Sequence, residues 1–182
     1  MLPTSLYATA LAVLTLAGPA GAAGSGDAPF GLAWGPVANV PRPLMADREA
    51  NLTALYYPQG MAPAIGPGTA GVILVVCRDE GLQQVIWVGL PLAGEAGERA
   101  RRAIREEGVR RYGEPHPGAA PDSEVWPGGR ATLAGREVGD GRRELVMTAF
   151  GPGYAACSDR HRAETGHPAG AHASDLVAPD LP

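Results

Sequence analysis

The 182-residue chain has no lysine: its fifteen basic residues are all arginine. That removes Schiff-base and lysine-nucleophile chemistry from consideration. Aromatic residues make up only 5% of the chain, so any large apolar core must be built mostly from aliphatic side chains. Cysteine occurs twice, at Cys77 and Cys157, and never as a CxxC pair. A thioredoxin-like redox centre is therefore not encoded. The formal charge of −4 has neither the sign nor the size of a nucleic-acid-binding surface. No stretch approaches the roughly 20 consecutive apolar residues of a membrane-spanning helix.

The longest uncharged apolar run is Leu6 to Ala17 (LYATALAVLTLA), the length of the central region of a secretory signal peptide. Gly18 and Pro19 break it, and Ala20 and Ala22 place small residues at −3 and −1 of a cleavage site. Residues 1–22 thus read as a signal peptide, although no Lys or Arg precedes the run. The mature protein is expected to begin at Ala23 or Gly24 and to reside in the periplasm or outside the cell. In such an oxidising compartment Cys77 and Cys157 are expected to form a disulfide.

The rest reads as one α+β domain over residues 29–157, followed by a disordered tail over 158–182. Val72 to Cys77 (VILVVC) is a continuous β-branched run of the kind covered on both faces of a sheet. Arg78 to Gly81 has turn chemistry, and Leu82 to Leu90 returns as the partner strand. Asn51 to Tyr57, Ser123 to Trp126, Arg130 to Val138 and Arg142 to Phe150 supply further strands. One helix is predicted over 94–112. Ala96, Ala100, Ile104, Gly108 and Tyr112 line a narrow face, and Glu95/Arg99 and Glu107/Arg111 are among four i,i+4 pairs on the other. The expected architecture is an antiparallel sheet with this one main helix packed on it. The halves 36–90 and 94–150 each read as a connecting or helical segment and three strands, a degenerate α-β-β-β duplication.

The run Phe30 to Gly35 (FGLAWG) resembles the FGLxWG opening of uncharacterised exported proteins of Gram-negative bacteria. Gly81-Leu82, the helix end Tyr112-Gly113-Glu114-Pro115 and the later Trp126 extend the likeness over most of residues 29–150. The resemblance implies a compact exported α+β unit and no particular activity. This chain departs from the pattern after Gly35, where Pro36, Pro41 and Pro43 stand in place of a helix.

Function is less legible. The expected role is a binding or structural module with a protein or envelope partner, no cofactor, and an oligomeric state the sequence leaves open. Trp34 and Trp126, bounded by Gly and Pro, are its candidate interaction surface. An alternative is an exported hydrolase using Asp122 and Glu124 with a histidine, His116 being the nearest. Another is zinc or copper capture by His161, His167 and His172, which have Asp159, Glu164 and Asp175 among them. Their spacings match no compact helical metal site, so a solvated tail is the ordinary reading. Cys157 with His161 would make a thiol–imidazole pair only if the thiol were free. Gly66 to Gly71 spells GxGxxG but opens a strand, not the helix that dinucleotide binding needs.

Overall fold

A computed structural model describes residues 28–37, 40–61 and 68–169. The expected signal peptide and His172 lie outside these residues. Among the described residues eight strands form a single antiparallel sheet: β1 (Met45–Glu49), β2 (Leu52–Pro58), β3 (Thr69–Cys77), β4 (Gly81–Gly89), β5 (His116–Pro117), β6 (Glu124–Val125), β7 (Ala131–Glu137) and β8 (Arg143–Phe150). Their order is β1-β2-β3-β4-β8-β7-β6-β5. Two four-strand meanders therefore meet through the pairing of their last strands, β4 and β8. Each half has four strands where three were expected, the additions being the short strands β1 and β5. Among the described residues only the second half opens with an α-helix, α1 (Gly94–Tyr112). In the first half prolines interrupt the corresponding stretch, as the sequence indicated.

Side-chain alternation divides the core into two. Val72, Leu74, Val85, Trp87, Leu133 and Met147 pack on one face with Ala100 and Ile104 of α1. Ile73, Val75, Cys77, Ile86 and Val88 pack on the other face with Cys157 and Ala169. The VILVVC run is thus buried on both sides.

The second face is covered by a second helix, α2 (Tyr154–Thr165). This corrects the first part of the expected tail: residues 158–165 are helical, and Ser158, His161 and Ala169 are buried; residues 170–182 lie outside the described residues. The helix begins at a bulge in the sheet. The β3–β4 register shifts between Val75↔Gln84 and Val76↔Leu82, leaving Gln83 as the extra residue. Gln83 is buried, and its side-chain oxygen accepts from the Gly153 N–H at 2.8 Å while its carbonyl accepts from Gly151 N–H at 2.8 Å. Together they pin the chain where α2 starts. The Cys77–Cys157 disulfide, with a Cα–Cα distance of 6.2 Å, fastens α2 to the end of β3 one turn later.

The two tryptophans expected at the surface are core residues, which corrects that reading. Trp34 is 4% exposed and Trp126 0%. Trp126 lies against Gly108 of α1, where any Cβ would enter its indole ring. Helix and ring approach this closely because position 108 carries no side chain.

The FGLAWG segment packs on the Gly81-Leu82 turn. Gly35 and Leu82 form a two-way backbone bridge. Gly81 has φ +70°, and a Cβ there would overlap the Gly35 carbonyl. The Phe30 N–H donates to Glu107 Oε1 at 2.7 Å. Glu107 is an acid on the otherwise small, apolar face of α1, with Arg110 and Arg111 as its further partners. Burial alone would raise its pKa. The Phe30 N–H and the two guanidinium groups outweigh that and hold it below the usual carboxylate range.

Candidate metal centre

Three donors from three parts of the chain meet at the edge of the second face. Glu49 closes β1, and its pairing with Leu52 puts both residues on the side that α2 covers. His161 projects inward from the last turns of α2 and is 1% exposed. His167 lies just past the helix. Gly166, with φ +88°, is the left-handed cap that turns the chain back. The turn brings the two imidazoles edge to face with centroids 5.2 Å apart.

Both rings aim the same nitrogen at one carboxylate. His161 Nε2 is 3.3 Å from Glu49 Oε2, and His167 Nε2 is 3.4 Å from Glu49 Oε1. One ligating atom from each residue lies within 4.8 Å of those of the other two.

Asn51 orients the buried ring. Its Nδ2 donates to the Cys157 carbonyl at 3.1 Å. A carbonyl can only accept, so the amide's other end, Oδ1, must face His161 Nδ1, 3.2 Å away. The Nδ1 nitrogen therefore carries a hydrogen, and Nε2 is the ring nitrogen directed at Glu49. This is the outer-shell arrangement that orients metal-binding histidines. Between Glu49 and Asn51, Ala50 has φ +49°, a left-handed backbone that alanine rarely adopts. Glu49 and His167 are each about one-third exposed, so the site opens to solvent on one side.

The other candidates fare differently. Asp122, Glu124 and His116 do line one open cleft, of about 670 Å³. The cleft does not assemble them. Asp122 Oδ2 accepts from Arg143 Nη1 at 3.0 Å, and Glu124 Oε1 from Arg105 Nε at 3.2 Å. His116 pairs with Val125 and Pro117 with Glu124, so His116 and Glu124 fall on opposite faces of the β5–β6 hairpin. Neither carboxylate meets the imidazole with which it would share a proton. Cys157 is disulfide-bonded and offers no thiol to His161. Thr69 to Gly71, the end of the GxGxxG run, opens β3. The Arg-bearing face of α1 is exposed and partly self-neutralised, as in Glu95–Arg99.

Sequence reading singled out His161 and His167 but missed Glu49 and Asn51. No local signal marks either, because both are brought to α2 only by sheet pairing and the disulfide. Among the described residues no helix is long and apolar enough to cross a membrane. Comparison with protein-family models, curated proteins and solved structures finds no match.

Proposed function

We propose that this small α+β domain is a metal-binding protein that takes up one divalent transition ion, such as zinc, on Glu49, His161 and His167. The observation that carries the reading is the convergence of two imidazole Nε2 atoms on one carboxylate, with Asn51 holding the His161 tautomer. One divalent ion serves all three donors. Two histidines and one carboxylate also leave a coordination position for water on the solvent side, the donor set found in hydrolytic zinc sites.

The reading includes export to the periplasm or the exterior. The disulfide supports it, since such bonds persist in oxidising compartments. An interaction role finds less support, because Trp34 and Trp126, the surface on which it rested, are buried.

The test is calorimetry of the full chain with Zn²⁺ and Cu²⁺. Wild type should bind one zinc per chain. His161→Ala and His167→Ala should each weaken binding at least tenfold, and His172→Ala should leave most of it. Zinc heats unchanged in both of the first two variants would overturn the reading.

A further inference from the structure

We infer that the Cys77–Cys157 disulfide and the metal site lock one another, so that metal uptake depends on the oxidised state of the clamp and the bound ion shields the clamp from reduction. The inference rests on the metal reading above. Helix α2 buries only Cys157, Ser158 and His161: half a disulfide, a small hydroxyl residue and a metal ligand. It has no apolar stripe to seat it on the sheet. Its start is pinned by Gln83, and Tyr154 stacks near Phe150 with centroids 4.6 Å apart. Beyond that point the ties include the disulfide, the ion pairs of Arg160 with Glu80 and Asp79 at the rim, the contacts of His161 with Asn51 and Glu49, and buried Ala169, whose N–H donates to Ser158 Oγ.

The disulfide is therefore the covalent tie that keeps the second half of α2, with both histidines, facing Glu49. Asn51 joins the two functions directly, since one end of its amide holds the Cys157 carbonyl and the other His161. When the bond opens, the histidines sample positions away from Glu49. Apparent affinity then falls by the fraction of time the site is assembled.

The reverse coupling follows. Cys77 and Cys157 are 1% and 0% exposed, so a reductant reaches their sulfurs only when α2 lifts. An ion bridging β1 to α2 opposes that lifting. Linkage requires that if the closed clamp favours metal, metal favours the closed clamp. The reaction itself is ordinary exchange. A dithiol gives up two electrons and two protons to the bond, leaving Cys77 and Cys157 as thiols and itself as a cyclic disulfide.

The experiment uses the full oxidised chain and a phosphine reductant, which becomes its oxide by taking oxygen from water as the two thiols form. Initial rates are followed by trapping thiols and weighing the intact protein, with and without Zn²⁺. Zinc should slow reduction at least tenfold in wild type and have no effect in His161→Ala. In parallel, the double variant Cys77→Ser/Cys157→Ser should bind zinc at least tenfold more weakly than oxidised wild type. Its near-ultraviolet tryptophan signal reports whether the α1 face is intact. If that variant does not fold, the reduction rates of the native sequence decide alone. Zinc binding by calorimetry with no change in the wild-type reduction rate would overturn this inference and leave the metal reading standing. No zinc binding at all would overturn both.

Discussion

A side-chain amide has two chemically different ends, and at Asn51 each end has one acceptable neighbour. The donor end meets the Cys157 carbonyl, which leaves the acceptor end for His161 Nδ1. Removing that constraint frees the imidazole to rotate and change tautomer. Asn51→Ala should weaken zinc binding by about 10–100-fold, the usual cost of losing an orienting partner, read by competition with a zinc indicator. Ala50 makes the opposite case. Its φ of +49° is costly for alanine and natural for glycine. Ala50→Gly should stabilise the fold by about 1 kcal/mol in denaturant titration. At this scale the sequence was only partly legible. The histidines stood out by type, yet five intervening residues did not suggest that they meet. They meet because Gly166 reverses the chain between them. Glu49 sits in MADRE, a stretch with nothing to distinguish it from any polar edge strand.

At the scale of elements, legibility followed the strength of the periodic signal. α1 was readable because its small apolar face recurs every four residues, and its limits match the structure. α2 was not, since its pattern of charged and small residues has no apolar stripe. It is held by a covalent bond and by polar contacts that only the folded sheet supplies. The disulfide itself was legible from cysteine number and expected compartment. The α1 packing carries its own test. Gly108→Ala puts a methyl group into the Trp126 ring, so the helix or the ring must shift. A loss of about 1–3 kcal/mol is expected in chemical denaturation, with a changed tryptophan signal. An unchanged stability would mean that the helix sits further from the sheet than described. For α2, Cys157→Ser should lower stability by about 2–5 kcal/mol and expose the chain around residues 154–165 to limited proteolysis.

At the scale of the whole molecule, two meanders share one sheet and each face has its own cover. The FGLAWG segment secures the first half to the second through Gly35–Leu82 and Phe30–Glu107. That contact gives the fold an acid limit. The folded-state pKa of Glu107 is lowered, so its ionised form contributes stability above the unfolded carboxyl value. The contribution fades as pH falls below about 4.5 toward the lower folded value. Thermal melts of wild type should therefore lose stability more steeply through that window than melts of Glu107→Gln. The architecture follows from strand runs and turn residues that the sequence displays. The site does not, because it depends on long-range register and on a helix without a pattern. Its most direct test is X-ray absorption at the zinc edge of the full chain loaded with one zinc. The account predicts nitrogen and oxygen ligands at about 2.0–2.2 Å, with the signature of two imidazoles reduced to one in His161→Ala. Sulfur ligands at about 2.3 Å, or a spectrum that His161→Ala leaves unchanged, would contradict it.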